Sequence, residues 1–221
     1  MNVLIIGASR GIGLEFVRQY RQAGARVIAT ARSDEGLARI SALGAKALRV
    51  DVAQPASVSG LAWQLDGEKI DVAVYVAGVW ADGSAKQPPT QQLFDATMYA
   101  NVLGAMQALP QVAPLVEEAG GKFAFISSGM GSITEVESSY GWTYRVSKAA
   151  LNMAVQSARF DYPKAYLMAL CPGWVRTDMG GANASISVEE SVSAMRKTIS
   201  NAKKSDAHVF WHHDGSKYTG W

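Results

Sequence analysis

The chain begins Met1-Asn2-Val3-Leu4-Ile5-Ile6-Gly7-Ala8-Ser9-Arg10-Gly11-Ile12-Gly13-Leu14, and this stretch decides the fold. A short apolar run, 3–6, ends directly in glycine, and apolar residues then recur at spacings of three and four from Gly13 onward. That is the pattern of a strand buried on both faces, a tight turn and a helix. A glycine turn in this place lets the backbone approach a pyrophosphate. The helix behind it offers unpaired N–H groups and the positive end of its dipole. Glycine also serves tight turns for steric reasons alone, so its position between strand and helix is what points to a nucleotide. On that reading Gly7, Ser9, Arg10, Gly11, Ile12 and Gly13 are cofactor-binding candidates, spaced G-x-x-x-G-x-G rather than G-x-G-x-x-G.

The same alternation continues down the chain. Apolar runs at 26–30, 45–50, 71–76, 122–127 and 165–170, with a weaker one at 207–211, alternate with helical-period segments at 13–23, 55–65, 93–118 and 147–162. Strand–helix alternation predicts right-handed βαβ crossovers: one Rossmann-type α/β domain over 1–221, three-layered, with a parallel sheet of about seven strands. Ligands of such sheets bind beyond the carboxyl ends of the strands. The 221 residues are 48% hydrophobic and 18% charged, as in ordinary soluble globular proteins. A net charge of +2 with scattered Lys and Arg argues against nucleic acid or an acidic membrane surface as partner. No stretch has the length of a membrane span, and the apolar start is too short for a signal peptide. Cys171 is the only cysteine, so no intrachain disulfide can form and a cytoplasmic location is expected. It reads as a buried, inert thiol. His212-His213-Asp214 has no second ligand cluster, and no metal is expected.

The second run separates the two dinucleotides. A fold preferring NAD places an acid at the end of that strand, for the ribose 2′-hydroxyl. Here it ends Ile28-Ala29-Thr30-Ala31-Arg32, with no acid until Asp34. Arg32 offers a planar fork suited to a phosphate, and Arg10 could clamp the same phosphate from the glycine loop. Each arginine alone reads as a solvated surface residue; together, with the acid missing, they favour NADP(H). At the end of the third run stand Asp51 and Val52. The Asp51 carboxylate could accept from an adenine amino group, or cap the helix that follows.

Tyr144-Arg145-Val146-Ser147-Lys148 opens a helical segment, and one turn puts phenol and ammonium on the same face. A free tyrosine, with a pKa near about 10, is a poor acid/base at neutral pH, and a neighbouring ammonium lowers that value. The bland alternative is an edge tyrosine and a solvated lysine. The fifth run ends in Ser127-Ser128-Gly129, of which only one serine can face the site; a serine there can donate to a carbonyl oxygen. Trp80, Trp142 and Trp174 fall on expected loops at this edge and could wall a substrate, and the small, polar 182–187 suits a mobile flap.

Taken in order, Gly7-x3-Gly11-x-Gly13, Tyr75-Val76-Ala77-Gly78, Asn101, Ser128, Tyr144-x3-Lys148 and Pro172-Gly173 resemble the short-chain dehydrogenase/reductase family over nearly the whole chain. The turn Pro172-Gly173-Trp174-Val175-Arg176-Thr177-Asp178-Met179 further resembles its carbonyl-reductase-like and C-factor-like branch. The resemblance implies an NADP(H)-dependent oxidoreductase acting on a small carbonyl or alcohol. Tyr144 would be its acid/base, Lys148 would lower the tyrosine's pKa and bind the ribose, and Ser128 would polarise the carbonyl. Asn101 would hold a proton-relay water. Ala77 and Gly78 would admit the cofactor, and Pro172, Gly173, Val175 and Thr177 would line the nicotinamide. Ser132 is the alternative to Ser128, and Tyr140 lacks a lysine one turn on. A departure stands at Tyr75-Val76, where the family carries two asparagines that brace the sheet. The alternative function is a nucleotide sensor without turnover. Alanines 149, 150, 154 and 158 leave a helix face for close approach, and a homodimer is expected.

Overall fold

The computed structural model describes residues 1–206 and 210–221. Among the described residues the elements run β1 (Asn2–Ile6), α1 (Gly11–Gln22), β2 (Arg26–Ala31), α2 (Asp34–Ala42), β3 (Lys46–Arg49), α3 (Pro55–Ser59), α4 (Leu61–Gln64), β4 (Val72–Tyr75) and α5 (Gln91–Met98). A π-helical turn (Tyr99–Leu103), α6 (Gly104–Glu118), β5 (Lys122–Ile126), a 3₁₀ turn (Gly129–Gly131), α7 (Trp142–Ala158), β6 (Tyr166–Cys171), α8 (Val188–Asn201) and β7 (Phe210–His212) follow. The strands form one parallel sheet of seven in the order β3-β2-β1-β4-β5-β6-β7. The chain therefore starts at the centre, builds to one edge, and returns to build the other. The turns after β1 and β4 lie side by side at the switch, where a ligand crevice opens.

Alternate residues of each strand feed opposite layers, as the pleat requires. Val3 and Ile5 pack with Phe16, Val17 and Tyr20 of α1 and Val192, Met195 and Ile199 of α8. Leu4 and Ile6 pack with Leu61, Val112, Val116, Leu151 and Val155 on the other face. The edge strand β3 is the least buried of the strands among the described residues.

Several expected boundaries differ. The segment 93–118 is not one helix: the π-helical turn interrupts it after Met98. Gly60 divides 55–65 into α3 and α4. The helix expected from Ser147 starts at Trp142, so Trp142 lies on α7 and not on a loop. The expected strand 207–211 begins at Phe210 as described; 207–209 lie outside the described residues. The segment 182–187 is tied down rather than free: Arg176 N–H donates to Ile186 (2.9 Å), Ile186 N–H donates to Trp174 (3.2 Å), and Ser187 closes a capping box with Glu190 on α8. Among the described residues no helix is long and apolar enough to cross a membrane.

Candidate active site

The glycine turn packs as close to the sheet as backbone can. Gly7 sits at φ +89°, and a side chain there would begin 2.6 Å from the Ala77 nitrogen. Its N–H donates to the buried Thr30 hydroxyl (3.0 Å), a contact with no motif to announce it. Ala77 N–H donates to Ile6 (3.2 Å), closing the β1 and β4 turns together. Ser9 gives its carbonyl to Arg39 of α2 (2.9 Å), and Ile12 is half-buried in the first turn of α1. That helix starts with no side-chain cap and no acid in its first turn. Its orphan N–H groups and positive dipole end therefore face outward beside the turn, a fit for a phosphate group.

Beyond β2 and β3 stand two arginines, Arg32 and Arg49, beside the acidic start of α2. Arg32 is exposed and its carbonyl accepts from Arg49 (2.9 Å), which is also ion-paired with Asp34. Arg10 is engaged by Asp178 (2.7 Å) across from the turn after β6, both side chains about three-quarters exposed, at 73% and 74%. A pair so exposed contributes little and yields readily to a better anion. Asp51 accepts from Ala53 N–H (3.1 Å), whereas the N-cap of α3 is Gln54, so the helix-capping reading is replaced by a local turn. Val52 lies against Gly104 at the start of α6.

The chemical groups gather at the carboxyl edge of β5. Ser127 is buried and its hydroxyl donates to Asn152 (2.6 Å), which leaves Ser128 to face outward. Ser128 caps the 3₁₀ turn, accepting from Met130 N–H (3.1 Å), and stands near enough to Tyr144 to draw its pKa down. Ser132 is buried and accepts from Glu135 N–H (3.2 Å), away from that pair. On α7, Lys148 places its ammonium 5.6 Å from the centre of the Tyr144 ring and donates to the Ile126 carbonyl (2.9 Å). Burial pushes the Tyr144 phenol up to about 12, against the pull of Ser128 and with the neighbouring Cys171 adding to the rise. Burial likewise pushes Lys148 down to about 8. Burial is the largest influence on both groups, since each is taken out of water at the sheet edge.

Asn101 lies fully buried in the π-helical turn. Its side chain accepts from Val79 N–H (2.7 Å) and donates to the Val79 carbonyl (3.0 Å) and the Ser147 hydroxyl (2.9 Å). It therefore clamps the loop after β4 to α7. Gly78 leaves the gap between that loop and the site open: a side chain there would begin 3.1 Å from Asn101 Oδ1 and 3.5 Å from Lys148 Nζ. Tyr75, in place of a bracing asparagine, sends its buried hydroxyl to the Ala100 carbonyl (3.2 Å), the residue before Asn101. On the far side, the Pro172 carbonyl accepts from Ser191 (2.7 Å), Gly173 packs against Ile186 and His213, and Val175 is buried in a bridge to Ile186. The methyl of Thr177 faces Gly11, and its hydroxyl accepts from Gly180 N–H (3.0 Å). The ring of Trp80 packs on Tyr144 (4.8 Å) and Tyr140 (5.5 Å), while Trp174 donates to Gly180 (2.8 Å). Among the described residues no three His, Cys, Asp or Glu side chains cluster as a metal site; His212 instead stacks on Tyr218 (3.7 Å).

The model of the short chain dehydrogenase family matches residues 1–187. The chain belongs to that family. Over 226 residues this short-chain dehydrogenase is 33% identical to 1-hydroxy-2-glutathionyl-2-methyl-3-butene dehydrogenase of Rhodococcus sp. (strain AD45), covering 97% of each chain. Among solved structures it is similar to a short-chain dehydrogenase/reductase from Burkholderia multivorans with bound NADP, at TM-score 0.90 and 30% identity over 100% of this chain and 99% of that one. It is also similar to a carbonyl reductase from Pseudomonas aeruginosa PAO1 in complex with NADP, at TM-score 0.85 and 31% identity over 100% and 99%.

Proposed function

We propose that this short-chain dehydrogenase is an NADP(H)-dependent oxidoreductase that passes a hydride between nicotinamide and a small carbonyl or alcohol, with Tyr144 as acid/base. The reading is carried by one juxtaposition: the Tyr144 phenol near Ser128 and flanked by the Lys148 ammonium, 5.6 Å from its ring, at the sheet edge beside the glycine turn. The solved relatives with bound NADP support the choice of cofactor. Bound NADP(H) supplies the hydride and, when oxidised, a positively charged ring.

The protein's own groups do the rest. The glycine turn, Gly7 to Gly13, and the open start of α1 bind the pyrophosphate, while Arg10 and Arg32 hold the 2′-phosphate. Asp51 and Val52 contact the adenine end. Ala77, Gly78, Pro172, Gly173, Val175 and Thr177 line the nicotinamide half, and Lys148 binds its ribose. Ser128 donates to the substrate oxygen, and Tyr144 gives that oxygen a proton in reduction or removes one in oxidation. A phenol pushed up to about 12 is protonated at neutral pH, the form that reduction uses. Asn101 fixes the loop after β4 and bears on the proton path to Lys148. The molecule acts as a homodimer through α7, where the exposed Val146 and Met153 lie on one helix face with Ala149 and Ala150, which leave room for a second copy.

The test is NADPH consumption against a panel of small ketones and aldehydes. Turnover with NADPH well ahead of NADH is expected, and Arg32→Asp should erase that preference. Tight NADPH binding with no turnover on any carbonyl would favour a sensor instead.

A further inference from the structure

We propose that the C-terminal tail, 213–221, belongs to the active-site framework, with Tyr218 and Cys171 as positioning residues for Ser128. The inference rests on the reading of Ser128 as the group that holds the substrate oxygen. After β7 the chain folds back on itself: His212 N–H donates to Ser216 (2.9 Å) and Tyr218 N–H to Phe210 (3.1 Å). This lays the Tyr218 ring on Phe210 (3.9 Å) and His212 (3.7 Å), only 3% exposed. Its hydroxyl and the buried Cys171 thiol both stand against Gly129, and the sulfur accepts from Gly129 N–H (3.1 Å). Gly129 follows Ser128 directly, and a side chain on it would begin 2.6 Å from the Tyr218 hydroxyl oxygen. The tail thus presses on the turn where no side chain can intervene.

It also grips the other end of that turn. The Trp221 carbonyl accepts from Ile133 N–H (2.6 Å), Thr134 N–H (2.8 Å) and the Thr134 hydroxyl (3.1 Å). Between the two holds lies the Met130 N–H that donates to Ser128 Oγ and fixes its direction. The Ser128 hydroxyl is therefore aimed by backbone that Tyr218, Cys171 and Trp221 hold still. No residue of the glycine turn takes part, and Tyr218 lies away from the His213 contact with Gly173, so a change at Tyr218 acts on the Ser128 turn and not on nucleotide binding.

Tyr218→Phe removes the hydroxyl and keeps the ring stacked. Hydrogen–deuterium exchange of the protein alone should show faster exchange in 129–134, while NADPH affinity stays unchanged. A carbonyl assay should show kcat down about fivefold, the order of one lost polar contact at the turn. In alcohol oxidation the rising limb of the pH profile should move to higher pH, because Ser128 lowers the Tyr144 pKa. In a Ser128→Ala background Tyr218→Phe should cost nothing further. Cys171→Ala should reproduce the same signature. Unchanged exchange, or an equal loss in both backgrounds, overturns the proposal. If Ser128→Ala and Tyr144→Phe leave turnover intact, the placing of the chemistry on those two residues fails, and the exchange measurement still decides the tail's hold on the turn.

Discussion

Lys148 is a buried charge at the heart of the site. It is 4% exposed, and its ammonium is held by the Ile126 carbonyl. Pushed down to about 8, it binds fewer protons folded than unfolded between that value and the ordinary lysine range. Stability therefore rises with pH from about 8 toward 10.5, and below that window the penalty, up to about 3 kcal/mol, is fully present. Lys148→Met should melt higher than the parent at pH 7 while losing activity, and the gap should narrow at pH 9.5. Thermal melts of both proteins at the two pH values check this; a gap independent of pH would contradict it. The position of this lysine was legible from Tyr144-x3-Lys148, because one helical turn fixes which side chains are neighbours. Its electrostatics were not, since spacing carries no information on desolvation.

At the scale of elements, the tether from β4 to the π-helical turn replaces a bracing asparagine. Tyr75 reaches Ala100, Asn101 reaches Val79 and Ser147, and Ser147 donates to the Tyr144 carbonyl (2.7 Å). Tyr75→Phe should lower stability by about 1 kcal/mol, the net value of a buried hydrogen bond, without changing the fold. Denaturant midpoints measure it; no change would mean that the Ala100 carbonyl does not need the phenol. The strands and most helices could be read as apolar runs and periods, because burial on both faces leaves no polar positions. The interruption after Met98 could not, because a π turn adds one residue without disturbing the composition around it. Trp80 on Tyr144, Thr30 under Gly7 and Tyr218 behind Gly129 were equally hidden, being contacts between segments far apart in the chain.

The whole molecule brings turns from β1, β4, β5 and β6 to one edge of the sheet and leaves Val146 and Met153 exposed on a face of α7. That face predicts its own outcome: Val146→Glu with Met153→Glu should convert a dimer to monomer by sedimentation, and an unchanged sedimentation coefficient would remove this face as the interface. The claim on which everything turns is that the Tyr144 hydroxyl moves the proton. The most direct measurement is steady-state NADPH oxidation by Tyr144→Phe beside the parent, on whichever carbonyl the parent reduces, together with NADPH affinity by fluorescence. Proton transfer by Tyr144 predicts kcat lower by about a thousandfold with NADPH affinity nearly unchanged; a variant that keeps its parent's kcat would contradict it.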